Sequence, residues 1–148
     1  EQLPQDKRAV ALGIPKSSEV LPLPEYAGLD GVSDLIHEAI WNIDFYRRLQ
    51  MPDGRVRGGV ESAGHPLLGT TSYLEHLPVY AYAPDLVSTY RYVASASRLS
   101  RILAELNLAE LAGIYRASAL AAWRAAEHGF SDPDNFYKEA IAAANEIH

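Results

Sequence analysis

The 148-residue chain contains no cysteine, which excludes disulfide staples, thiolate metal sites and thiol nucleophiles. Basic residues are scarce. Thirteen Lys and Arg stand against nineteen Asp and Glu, a net charge of −6, so the basic face that a phosphate-backbone binder needs is missing and no nucleic-acid partner is expected. No apolar run approaches the roughly 18 residues of a membrane span, so no membrane is expected either. The opening Glu1-Gln2-Leu3-Pro4 has neither the basic start nor the apolar core of a signal peptide. It also lacks an initiator Met, and the expectation is a segment that begins inside a longer polypeptide. What remains is ordinary. The chain is 48% hydrophobic and 22% charged, the balance of a folded domain rather than of collagen or a disordered tract.

Composition changes along the chain. Eight of the nine prolines lie at or before Pro84 and eight of the ten glycines at or before Gly69. Residues 1–30, with Pro4, Pro15, Pro22 and Pro24, predict an irregular lead-in holding at most a short turn around Lys7 to Leu12. A helix is predicted within 31–50, its apolar stripe formed by Leu35, Ile36, Ala39, Ile40, Ile43, Tyr46 and Leu49, with Asp30 or Ser33 as cap. Residues 51–86 predict a long loop with a short edge strand around Leu77 to Tyr82. A loop of that length is uncommon in a compact domain unless it has a job. Three helices are predicted over 87–148. The first two use Tyr92, Val93, Ala96, Leu99, Ile102, Leu103 and Leu106, then Leu111, Ile114, Tyr115, Ala119, Ala122, Trp123 and Ala126, as buried faces. The connections fall at Asn107 and at Gly129–Asp132, with Gly129 read as a left-handed cap and Pro133 as a first-turn proline. The last helix is expected to run to His148 without a cap, as at a truncation. Alanine clusters at 119–126 and 140–144 allow close helix approach, and the class is all-α with paired antiparallel helices.

Most chemical constellations are weak. His65, Glu75, His76 and Asp85 have no recognised metal spacing, and a solvated loop is the favoured reading. Gly64 to Gly69 has no Lys-Ser/Thr after it, and Ser72 lacks the flanking glycines of a nucleophile elbow. Trp41 and Trp123 are expected in the core, His37 and His128 at the surface or as caps, and Arg47-Arg48 as a solvated edge. One cluster is richer. Tyr73, Tyr80, Tyr82, Tyr90 and Tyr92 fall within twenty residues, beside Glu61, Glu75, His76 and Arg91. Aromatic faces with carboxylates and other hydrogen-bonding groups suit a carbohydrate site. The bland alternative is that Tyr90 and Tyr92 pack at a helix start while Tyr80 and Tyr82 pin the loop.

The run from Gly31 through Ser33-Asp34-Leu35-Ile36-His37-Glu38-Ala39-Ile40-Trp41 to Phe45, then Leu49-Gln50, resembles a helix of glycoside hydrolase family 9 that typically reads G-x-P-D-L-L-D-E-A-x-W-x-L-E-W. Asp53-Gly54-Arg55-Val56-Arg57-Gly58-Gly59-Val60 is similar to that family's D-G-G-V-Y-H-K-V turn. Val87-Ser88-Thr89 with Ala94-Ser95-Ala96-Ser97-Arg98 resembles its S-T-x-A-T-A helix, and Leu12-Gly13-Ile14-Pro15 its L-x-I-P. The likeness covers roughly residues 12–128, about a third of such a catalytic domain. His37 stands where the family has an acid, Ser33 where it has proline, Ile40 where Lys or Arg is common, and the loop 61–86 departs from it.

The resemblance implies part of an (α/α)6 toroid, a six-hairpin glycosidase acting by inverting hydrolysis on a β-linked polysaccharide or oligosaccharide. An exported or extracellular bacterial protein is the expected setting. It also implies that His65 contacts sugar; with Glu61, Tyr80 and Tyr73, taken from the tyrosine-rich cluster, it completes the candidate substrate-binding residues. The family's base, in an Asp-Ala-Gly-Asp motif, and its acidic glutamate both fall outside this stretch, so no catalytic residue and no metal ligand is assigned. No cofactor is expected, with calcium in the complete domain left open. The expected partners are a carbohydrate and the remainder of the toroid or an additional chain. The alternative is a non-catalytic helical interaction module.

Overall fold

Among the described residues, alternating stretches of three–four apolar spacing and of turn residues build four helices and one small ribbon. The structure, a computed structural model, describes residues 32–70 and 76–145. Helix α1 is Asp34–Arg48, strand β1 Val60–Ser62 and strand β2 Val79–Ala81. Helices α2, α3 and α4 are Leu86–Glu105, Ala109–Ser131 and Pro133–Asn145. The all-α expectation holds at this coarse level. The lead-in, Asp30 as a cap and the stretch 146–148 fall outside the described residues.

Helices α2 and α3 form the antiparallel hairpin at the centre. Contacts advance along one helix as they retreat along the other, from Tyr90–Glu127 through Tyr92–Ser118 to Ser100–Ala112. The turn between them is a Schellman motif with Asn107 at its left-handed position, φ 61°. Leu108 N–H donates to Leu103 O at 2.9 Å and Asn107 N–H to Ala104 O at 3.1 Å, which satisfies carbonyls the helix end leaves open. Small residues at the seam, Ala96, Ala112, Ala119 and Ala122, let the axes approach, while Leu99, Leu103 and Tyr115 fill the space between them. At the other end Asp85 caps α2, its carboxylate accepting from Ser88 N–H at 2.7 Å.

Several expectations about the helices need correction. Gly129 does not end its helix: α3 continues to Ser131. The glycine instead lies under the ring of Phe136, which occupies the space a Cβ would take. Its missing side chain thus serves the α3–α4 contact rather than a left-handed cap. Asp132 caps the next helix, accepting from Asn135 N–H at 3.2 Å, with Pro133 following as expected.

The stripe of α1 is wider than expected: Ile40 is buried and Ile36, Ile43 and Tyr46 pack against the core as predicted, but Leu35 turns outward and His37, expected at the surface, turns inward. Leu35 is 70% exposed, whereas His37, Ile40 and Asp44 are buried. The pair Arg47-Arg48 is no free edge, because each Nε donates to one Asp44 carboxylate oxygen at 2.6 Å, one from i+3 and one from i+4. Ser33 takes the cap position without a side-chain capping bond. The tryptophans are not core residues: Trp41 is 52% and Trp123 45% exposed. They lie on partly exposed helix faces, together with Phe45, Leu120, Phe130 and Ile141. On the outer side of α2 and α3 this leaves a groove of about 750 Å³ lined by Val93, Ala104, Gly113, Leu120 and Trp123, with Arg101 and Arg116 also on its wall.

Candidate functional site

The stretch expected as a loop over 51–86 holds an ordered ribbon. Two backbone bridges, Gln50 with Val56 and Arg57 with Pro84, form its root. Beyond them β1 and β2 pair antiparallel, Val60 with Ala81, Glu61 with Tyr80 and Ser62 with Val79. The expected edge strand therefore exists, and the partner it finds is the segment carrying Glu61.

The root is fixed by buried polar groups. Val56, fully buried, donates its N–H to Thr89 Oγ1 at 3.1 Å, and Thr89 donates in turn to Asp85 O at 2.7 Å. Gln50 spans the turn 51–55 and α3, with Nε2 3.0 Å from both Gly54 O and Ser118 O. Its Oε1 accepts from the Ser118 hydroxyl at 2.5 Å, and Tyr92 Oη joins the same hydroxyl at 2.6 Å. Burial pushes the Tyr92 phenol above its ordinary value, so it stays protonated within this network. Arg55, buried to 7% exposure, reaches Phe136 O at 3.2 Å and lies over the Phe136 ring. It also pairs with Asp53 at 2.6 Å. Partial burial works to raise the Asp53 carboxyl, but the side-chain and backbone donors of Arg55 outweigh it and hold the carboxyl below its usual value.

On the ribbon itself the register decides which side chains share a face. Glu61 and Tyr80 are directly opposite, and the next position along that face pairs Gly59 with Tyr82, joined by Tyr82 N–H to Gly59 O at 2.9 Å. The Tyr82 ring rests against Gly59, whose φ is +147°, and its hydroxyl donates to Glu61 Oε2 at 2.9 Å. That bond to a carboxylate, first among its causes, raises the Tyr82 phenol above its ordinary value. Arg57 Nη1 donates to Tyr82 O at 2.9 Å. The result is a solvent-facing patch of two phenol rings and a carboxylate, with Tyr80 63% exposed.

Of the four candidate sugar-contacting residues, Glu61 and Tyr80 are brought together. His65 is exposed in the connection beyond β1, and among the described residues it has no hydrogen bond to either. Tyr73 lies outside the described residues. Tyr82, one of the clustered tyrosines, proves to be the partner of Glu61.

A pocket of about 180 Å³ adjoins the ribbon root, walled by Asn42, Ile43 and Tyr46 of α1, Gly58, and Ser88, Arg91, Tyr92 and Ser95 of α2. Arg91 was visible in the sequence as a polar neighbour of the tyrosines. Asn42, Ser88 and Ser95 were not, although positions 88, 91 and 95 follow helical spacing. Among the described residues no three His, Asp or Glu side chains gather to hold a metal ion, and no helix is long and apolar enough to cross a membrane. Compared with known proteins, the chain matches no family model, no curated protein and no solved structure.

Proposed function

We propose that this chain is a segment of a glycoside hydrolase of the family 9 kind, acting on a β-linked polysaccharide or oligosaccharide, and that its ribbon faces the sugar. The observation that carries this reading is the exposed face holding Tyr80, Tyr82 and Glu61 on one register. A phenol ring offers an apolar platform to the face of a pyranose, and an adjacent carboxylate accepts from its hydroxyls. The ordered root supports it, because a binding face must be held in place by the scaffold beneath it.

The role is substrate binding, not bond cleavage. Inverting hydrolysis needs two carboxyl groups roughly 6.5–9.5 Å apart across the scissile bond, and in this reading they come from the remainder of an (α/α)6 toroid. The uncovered apolar faces of α1, α3 and α4 would meet that remainder. The test is titration of the chain with β-1,4-linked gluco-oligosaccharides, followed by backbone NMR. Saturable shifts at Glu61, Tyr80 and Tyr82 that are lost in Tyr80→Ala are the expected result; absence of saturable binding overturns the ribbon's role.

A second reading, a helical interaction module without enzymatic role, is favoured by the same exposed apolar side chains, Leu35, Trp41 and Phe45 on α1 above all. It predicts no oligosaccharide binding and a protein partner across those faces.

A further inference from the structure

The pocket beside the ribbon root is separate from the sugar-facing patch. Four of its walls are polar side chains: Asn42 from α1, and Ser88, Arg91 and Ser95 from α2. Neither the Asn42 amide, the two hydroxyls nor the guanidinium has a hydrogen-bond or ion-pair partner among the described residues. Arg91 thus brings an uncommitted positive charge to a pocket that three hydrogen-bonding side chains also line. Ile43, Tyr46 and Tyr92 add apolar surface to the lining.

Charge beside the pocket would set the orientation of a ligand. Next to Gly58, behind the pocket's lining, stands Asp85, one carboxylate oxygen of which already accepts from Ser88 N–H at 2.7 Å. Its other oxygen faces Gly58, 2.9 Å from where a Cβ would lie, with the Ser88 hydroxyl at 3.1 Å from the same point. A carboxylate would be repelled at this end and attracted at Arg91, whose planar fork matches it. A hydroxyl would be welcome at the Asp85 end, as a donor. The volume of about 180 Å³ is below that of drug-sized sites and holds a molecule of roughly one ring. We propose that this pocket binds a small hydroxylated carboxylic acid, its carboxylate on Arg91 and its hydroxyls toward Ser88 and Asp85. Such a ligand is either a sugar acid or an open-chain hydroxy acid.

The experiment titrates the 15N-labelled chain with sodium glucuronate, sodium lactate and glucose at constant ionic strength. Expected are saturable shifts at Asn42, Gly58, Ser88, Arg91 and Ser95 with at least one acid and none there with glucose. The tighter acid tells the cyclic source from the open-chain one. Arg91→Gln should weaken binding about tenfold, the worth of one charge-assisted contact. Ser95→Leu, which fills the pocket from the exposed side of α2, should abolish it. Both positions are exposed, so the variants are expected to keep the parent spectrum. The proposal is overturned if neither acid gives saturable shifts at these residues, if glucose binds there as well as the acids, or if Arg91→Gln binds the acids unchanged. Shifts confined to Glu61, Tyr80 and Tyr82 would also overturn it, while leaving the ribbon's role intact.

Discussion

Gly54 has φ +95°, and a Cβ on it would collide with the Ala121 carbonyl of α3. Both the left-handed backbone and the close approach require glycine, so Gly54→Ala is expected to cost at least about 2 kcal/mol, measured by urea unfolding. Its neighbour Asp53 makes stability depend on pH. The Asp53 carboxyl is held below its ordinary value in the folded chain, so its contribution is full above the unfolded value and disappears as pH falls through the folded one. Asp53→Asn should therefore lower the Tm at neutral pH, and the gap to the parent should close below about pH 4. A gap that stays constant on acidification would assign the loss to something other than the carboxylate charge. The side chain is 44% exposed, so the electrostatic effect should be modest and should weaken further in salt.

Among the elements, α3 and α4 meet where Phe136 covers Gly129, and Gly129→Ala drives a methyl into that ring. The expected outcome is loss of hydrogen-exchange protection across α4, with the α2–α3 hairpin unchanged. Helix spacing made the hairpin legible in the sequence: Tyr92, Ala96, Leu99, Leu103, Leu111 and Tyr115 are buried as their periodicity predicts, and Asn107 turns the chain where a break was expected. Gly129 was misread because the same residue serves a left-handed cap and a close helix contact, and only the neighbour tells them apart. On α1 the pattern of apolar residues pointed to Leu35, yet the buried side carries His37 and Asp44. Asp44 is tolerated there because Arg47 and Arg48 both reach it, a pairing that i+3 and i+4 spacing allows but does not demand. For the ribbon, sequence supplied the edge strand and the residue types of the site. It could not supply the register, since three-residue strands carry too little alternation to fix one.

For the whole molecule, the exposed tryptophans report on what the described residues leave uncovered. Fluorescence of Trp41 and Trp123 should be readily quenched by acrylamide in the isolated chain and become protected, with a blue shift, when a covering segment or partner is added. Trp123 packs edge-on to Tyr90 at 6.0 Å but remains open on its other side. The root of the ribbon also bears on the order in which the fold is assembled. The α2–α3 hairpin closes over a short stretch of chain, whereas Gln50 is 68 residues from its Ser118 contact, Tyr115 is 71 from Asp44, and Arg55 is 81 from the Phe136 carbonyl. Closing such loops is slow compared with pairing adjacent helices. During synthesis at about 5–20 residues per second, the turn at 51–55 is made several seconds before its last anchor exists. The ribbon is then a late-fastened arm, and its root is fully anchored only after α4 has emerged.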